Sequence, residues 1–194
     1  RGQTEPVIRL LQVRVEWHAG EPAFREVCRK AAVAAFKDRL GQSFVKNVGF
    51  DGAVPLKECL RRLIVLTRLK PGALCQDRTW GFGVVKQLDD FYQKITVDFT
   101  KKPSHLMTFA YAGETLEVLG EEHLLARQPR DAAGLAALVR NDPAEVVRLA
   151  LRSYGPTSAS RLKDVLVPSV LAESEWKGFW EAARKALKND PLID

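Results

Sequence analysis

Three cysteines, three histidines and one methionine occur in the 194 residues, and these scarcities narrow the chemistry before any element is assigned. Cys28, Cys59 and Cys75 are odd in number and widely spaced, with no Cys-x-x-Cys pair. Neither a disulfide framework nor a thiolate metal site is spelled out, so reduced, intracellular thiols acting as small core hydrophobes are expected, in a cytoplasmic protein. His18, His105 and His123 are isolated, without His-x-x-x-His or Glu-x-x-His spacing, and no metal or other cofactor is expected. No apolar run reaches the roughly 18 residues a membrane-spanning helix needs, and no charged n-region precedes an apolar h-region. No membrane partner is expected.

Catalytic motifs are missing too. Ser158, Ser160 and Ser174 lie in no Gly-x-Ser-x-Gly elbow and read as helix caps. Asp89-Asp90 and Glu121-Glu122 are adjacent carboxylates, which alone do not make a two-metal site. Gly81-Phe82-Gly83 lacks the third glycine of a dinucleotide fingerprint and runs into strand-like Val84-Val85 rather than a helix. The chain is therefore expected not to be an enzyme.

What is present is enough apolar material, 46% of residues, to bury a core, and an uneven positive charge. Residues 1–69 carry 13 basic and 7 acidic side chains, residues 70–128 carry 7 and 8, and residues 129–194 carry 10 and 9. The net +6 belongs almost wholly to the first third; without a dense Lys/Arg block it reads first as an ordinary solvated basic surface, and secondly as a field that steers the chain toward DNA or RNA. Arg1 in place of an initiator methionine suggests a segment of something longer.

The organising stretch is Trp80-Gly81-Phe82-Gly83-Val84-Val85-Lys86, answered after Leu88-Asp89-Asp90-Phe91-Tyr92-Gln93 by Lys94-Ile95-Thr96-Val97-Asp98-Phe99. Ile95, Val97 and Phe99 alternate with polar residues, the two-residue period of a strand with one buried face. The connection predicts a hairpin longer than the tight two-residue kind. With Ala73-Leu74-Cys75, a strand over His105–Ala110, and Thr115–Leu119 as a fifth strand or a tight helical turn, residues 70–128 predict a small SH3-like or Tudor-like barrel. Gly81 and Gly83 are expected to supply its curvature or a bulge.

Helices flank this centre. Val7, Ile8, Leu11 and Val15 recur at helical spacing after Pro6, and His18-Ala19-Gly20-Glu21 breaks the run. Pro22 opens a second helix whose apolar stripe extends through Phe36 and Leu40 to a stop at Gly41. Pro55 opens a third, with Leu56, Cys59, Leu60, Leu63 and Leu66 inward and Arg61, Arg62 and Arg68 on a cationic outer face. The last third predicts helices over Asp131–Val139, from Pro143 to Tyr154, from Ser158 or Ser160 to a stop before Pro168, and a final helix capped by Ser174. That final helix has Trp176, Phe179, Trp180, Ala183 and Leu187 on one stripe and Lys177, Arg184, Lys185 and Lys188 as its cations. Short helices before a longer basic one suggest a helix-turn-helix arrangement, with any wing falling after Asp190. The fold class is thus α+β: a helical array over 1–69, the barrel over 70–128 and a helix-turn-helix-like region over 129–194.

The combination of Trp80-Gly81-Phe82-Gly83-Val84-Val85, Ile95-Thr96-Val97-Asp98-Phe99, His105-Leu106-Met107, Glu114-Thr115-Leu116 and Trp176–Pro191 resembles the long N-terminal extension of enlarged GreA/GreB-family transcription elongation factors. Gly72 with Trp80–Val84 also resembles the small barrel of CarD-like RNA-polymerase-interacting domains. The resemblance implies a noncatalytic docking region that binds RNA polymerase through protein contacts, with Trp80, Phe82 or neighbouring barrel surface as candidate contacts. Phe91 and Tyr92, beside acidic Asp89-Asp90, are candidate protein-binding residues on separate ground, because a hairpin tip does not easily bury both rings. No coiled coil with an acidic tip is visible, so the family's stimulation of transcript cleavage is not implied for this stretch alone. The alternative is a nucleic-acid-binding module using Arg61, Arg62 and Arg68 together with Lys177, Arg184, Lys185 and Lys188.

Overall fold

The structure, a computed structural model, describes residues 4–18, 21–127, 130–167, 169–188 and 190. It is an α+β fold with helices at both ends, and it divides into two units, the first ending at Val118 and the second starting at Leu119. The first holds α1 (Thr4–His18), α2 (Pro22–Ala35), α3 (Arg39–Asn47), α4 (Leu56–Arg68), β1 (Leu74–Asp77), β2 (Gly81–Asp89), β3 (Lys94–Phe99), β4 (Lys102–Thr108), α5 (Phe109–Thr115) and β5 (Glu117–Val118). The second holds α6 (Leu124–Arg127), α7 (Ala132–Asn141), α8 (Pro143–Tyr154), α9 (Ala159–Leu166), a 3-10 turn at Glu173–Glu175, and α10 (Trp176–Leu187). Among the described residues no helix is long and apolar enough to cross a membrane.

The apolar stripe read as running from Pro22 to Leu40 is split. The first helix stops at Ala35, and a new one begins where Asp38 accepts a hydrogen bond from Gly41 N at 2.6 Å. Gly41 is therefore not a stop but a point of close approach, since a Cβ there would lie 2.4 Å from Phe36 Cδ1. The short helix α3 buries Phe44 and Val45. In α4 the expected inward residues Leu56, Cys59, Leu60, Leu63 and Leu66 are all buried.

The sheet does not close. Its strands lie in the order β4-β3-β2-β1-β5, all neighbours antiparallel, so β4 and β5 are opposite edges. The SH3-like or Tudor-like barrel, and the CarD-like barrel resemblance built on it, are overturned by this topology. The physical reason lies at Thr108. The strand expected through Ala110 ends there, because Thr108 Oγ1 accepts from Tyr111 N at 3.2 Å and starts α5, while Phe109 N makes a last bond to Gln93 O at 2.9 Å. Phe109 then turns fully inward against Phe44, with ring centroids 5.1 Å apart. Only after this helix does the chain return as the two-residue β5, pairing Cys75 with Val118 on the far edge.

Helices occupy the place that the missing half of a barrel would fill. Val85, Ile95, Val97, Phe99 and Met107 of the sheet belong to one core with Leu60, Leu63, Leu66, Phe44 and Phe109 of the helices. The expected role of the glycines also changes. Gly83 permits close packing, since a Cβ would meet Phe99 Cδ1 at 2.5 Å, while the ladder's irregularity lies between Val85 and Gln87. Gly81 holds a left-handed φ of 79° at the strand entry.

In the second unit Val146, Val147, Leu149 and Ala150 of α8 pack with Leu162, Leu166, Phe179, Ala183 and Leu187. Asp131 accepts from Gly134 N at 2.7 Å, Asp142 from Glu145 N at 3.0 Å and Ser158 from Arg161 N at 3.3 Å, each opening its helix. Ser174 does not cap α10; the turn ahead of it is tied by Ala172 N donating to the Glu175 carboxylate at 2.9 Å. The breaker at Ala19-Gly20, the stop at Pro168 and the wing expected after Asp190 lie outside the described residues.

Candidate functional site

At the β2–β3 tip, Asp89 Oδ1 accepts from Phe91 N at 3.0 Å and Tyr92 N at 2.9 Å, an Asx-type turn that fixes the connection from its own side chain. Gln93 completes the turn with a φ of 53°. Its side-chain oxygen accepts from Asn47 Nδ2 at 2.9 Å, and Asn47 in turn donates to Ser43 O at 2.8 Å, so α3 holds the base of the hairpin. Arg39, at the start of the same helix, lies 3.4 Å from Asp90 and has its guanidinium carbon 5.7 Å from the Phe91 ring centre. Phe91 and Tyr92 meet edge to face at 4.9 Å and remain 68% and 66% exposed.

Two large rings on a turn pinned by its own aspartate and by two residues of a helix form a preorganised apolar projection. Little conformational entropy remains to be lost when a partner pocket takes them in. A ring pair with one tyrosine hydroxyl and a flanking Asp–Arg pair suits a protein surface with an apolar slot and polar rim.

The other two aromatic candidates are elsewhere. Trp80 and Phe82 stand at the opposite end of β2, roughly 25 Å away at the rise of an extended strand. Trp80 is half-buried, with Lys102 Nζ 4.5 Å from its ring centre and the His105 ring at 5.1 Å. Asp77, buried beneath it, accepts from Thr79 N at 2.7 Å and Trp80 N at 3.0 Å. Phe82 is half-buried in the ladder opposite Gln76.

The seven basic candidates fall into two sets. Arg61 donates to Glu58 at 2.7 Å and to the carbonyls of Gly113 at 3.0 Å and Glu114 at 2.9 Å, closing the C-terminal end of α5 onto α4. Arg62, with a side chain 14% exposed, pairs with Glu58 at 2.9 Å and Glu114 at 3.2 Å. Arg68 pairs with Glu5 of α1. A phosphate would have to compete with these partners. Lys177, Arg184 and Lys185 are by contrast exposed along α10 and Lys188 directly after it, and none makes an ion pair among the described residues.

Glu58 registers its neighbours as a carboxyl held down to about 2, chiefly by the Arg61 guanidinium, against an opposing burial effect and with a further contribution from Arg62. A carboxyl depressed on folding adds stability above its ordinary value of 4.5, and that stability is lost as pH falls toward about 2. Glu58→Gln is therefore expected to flatten the acid limb of a melting-temperature profile between those two pH values. A limb unchanged from wild type would contradict the assignment.

No catalytic constellation accompanies these surfaces among the described residues. Burial pushes His105 and His123 below the usual imidazole range, with Lys102 adding to the effect on His105. Their ring contacts are Trp80 and Phe99 for His105, and Tyr154 for His123. No group of three or more His, Cys, Asp or Glu residues is placed to hold a metal ion among the described residues. Burial raises the thiols of Cys75 to about 12 and Cys28 to about 11, which keeps them protonated and unreactive.

Sequence reasoning singled out Phe91 and Tyr92 as candidates, and the structure places both exposed at the hairpin tip; it missed the scaffold beneath them. Asp38, followed three residues later by Gly41 with Phe44 and Val45 beyond, was the available signal for α3, and with it Arg39 and Asn47 would have been placed under the hairpin.

Residues 125–194 match the family model described as the GRAD helix-turn-helix domain. Over 178 residues the chain is 28% identical to a transcription elongation factor GreA of Chlamydia trachomatis serovar D, covering 89% of this chain and 24% of that protein. It is 34% identical over 115 residues to the GreA of Chlamydia pneumoniae, covering 59% of this chain and 16% of that protein. A putative GreA-associated domains protein of Treponema pallidum is 32% identical over 120 residues, covering 60% of this chain and 18% of its own length. No solved structure matches. The chain thus spans less than a quarter of each of these relatives, and the similarity to GreA-type elongation factors supports a transcription-associated, non-catalytic protein-interaction role.

Proposed function

We propose that this chain is a docking region that attaches a transcription elongation factor to RNA polymerase through protein contacts, with the Phe91–Tyr92 hairpin tip as the anchor. The observation that carries the reading is the pinned, two-ring tip, 68% and 66% exposed, on a chain similar to GreA proteins. Buried aromatic anchors dominate the binding energy of protein interfaces, and an immobilised pair loses little entropy on docking. The test is capture of purified RNA polymerase core enzyme by the folded chain, followed by crosslinking from a photoreactive group at position 92. Capture with crosslinks to one polymerase subunit is expected; absence of capture by folded protein would overturn the reading.

A second reading rests on the exposed cations of α10 within the match to a helix-turn-helix domain. In it, Lys177, Arg184, Lys185 and Lys188 contact the phosphates of a nucleic acid. Binding to a generic duplex over a salt series separates the two, because phosphate contacts give an affinity that falls steeply with salt. No binding at low salt would sink this second reading and leave the first standing.

A further inference from the structure

The open sheet leaves an edge that a closed barrel would have consumed. β4 pairs with β3 on one side, and no described strand lies on the other. Its register pairs Lys94 with Thr108, Ile95 with Met107, Thr96 with Leu106 and Val97 with His105, and the next step, Phe109 N to Gln93 O at 2.9 Å, is a hydrogen-bonded pair. Antiparallel ladders alternate bonded and non-bonded pairs. The Met107 and His105 amides therefore face β3, and the Leu106 N–H and C=O point outward.

Natural sheets guard such edges with proline, lysine, bulges or irregular backbone, and β4 does so only in its first half. Lys102 and Pro103 open it, Ser104 has a φ of 50° with its N–H turned to Asp98 at 2.8 Å, and the register shifts between Val97 and Phe99. From His105 to Thr108 the ladder is regular, and Leu106 leaves its side chain 53% exposed on the face away from the core. Lys94, Lys101 and Lys102 surround the edge, and none has a carboxylate partner among the described residues. Lys102 Nζ lies 4.5 Å from the Trp80 ring centre. Because Lys94 follows the hairpin tip and pairs with Thr108, the free half of the edge and the Phe91–Tyr92 projection share one end of the sheet.

We infer that residues His105–Thr108 of β4 are completed by an extended, acidic segment of the docking partner, which adds a strand to the sheet through the Leu106 main chain. This rests on the docking reading above and specifies how that contact is made. Main-chain bonds supply a sequence-tolerant part of the affinity, Leu106 supplies an apolar contact on the solvent face, and the three lysines select acidic character over basic.

The experiment compares Leu106→Pro with Leu106→Ala in capture of RNA polymerase core enzyme, with amide hydrogen exchange of the wild-type chain read free and bound. Proline removes an outward donor that β3 does not use, and at an edge position its ring is tolerated. The expected result is a loss of capture of tenfold or more for Leu106→Pro, at most a few-fold for Leu106→Ala, and slowing of the wild-type Leu106 amide in the complex with Met107 little changed. Wild-type capture with an unprotected Leu106 amide would overturn the strand-addition inference while leaving docking intact, and this holds even if the proline variant fails to fold. Protection of Leu106 that grows with chain concentration in the absence of polymerase would assign the edge to a second copy of this chain and equally overturn it. Failure of wild-type capture would remove the docking reading and this inference with it.

Discussion

Replacing Phe91 and Tyr92 together by alanine is expected to weaken polymerase capture by roughly thirtyfold or more while lowering the melting temperature by only a few degrees. The affinity figure is the loss of one aromatic anchor, about 2 kcal/mol when truncated at the centre of an interface, taken as the floor because the losses of two touching rings are not additive. The stability figure follows from exposure: at 68% and 66% exposed, the two rings contribute little to the core, and surface truncations usually stay within about 0.5 kcal/mol. Their mutual edge contact at 4.9 Å and the Arg39 guanidinium over Phe91 are lost as well, but pairs of this kind at a wet surface add only about 0.5–1 kcal/mol. Titration of the polymerase with wild type and double variant at one salt concentration checks the ratio. Equal affinities would show that the tip is merely a solvated turn and would move the anchor elsewhere.

A companion substitution separates the rings from the scaffold that presents them. Asp89→Ala keeps both aromatics but removes the acceptor for the Phe91 and Tyr92 amides, so the tip pays its ordering entropy on binding. A smaller loss than that of the double alanine variant is expected, concentrated in the association rate when binding waits on the ordered turn.

The candidate residues at the hairpin tip are picked out by local rules. A hairpin was legible from the alternation over Lys94–Phe99 and from the acidic, aromatic connection before it, although β2 runs on to Asp89 and shortens the link from the six residues read in the sequence to the four before Lys94. What stayed hidden was set by long-range packing. Thr108 ends β4 as a helix cap although His105–Ala110 has no glycine or proline to mark a break, and the direction of Phe109 is decided by Phe44, sixty-five positions earlier. Arg61 and Arg62 read first as a solvated helix face and secondly as a phosphate or acidic-protein contact; only the fold brings Gly113 and Glu114 against them. The likeness to GreA extensions was carried by short pieces distributed over the sheet and α10, and it did not depend on whether the sheet closed. Barrel closure was the inference that asked most of the sequence, because it requires knowing which edge the fifth strand chooses.

Phe109→Ala should produce the largest loss of stability in the first unit, about 3–5 kcal/mol, the range for deleting a fully buried phenylalanine whose surroundings cannot collapse. Phe109 is wholly buried, touches Phe44 at 5.1 Å, and sits where β4 becomes α5. Its removal opens a cavity between the sheet and the helices rather than inside either. Hydrogen exchange should therefore show protection falling together in β3, α3 and α4, because the core of the sheet is also the core of the helical array. The edge amide of Leu106, open to solvent in both proteins, should hardly change. If denaturant unfolding instead showed a loss below about 1 kcal/mol, or if exchange rose only in the strands, the sheet would have a core of its own, and the helices would be dispensable as the platform that fixes Arg39 and Asn47 beneath the aromatic tip.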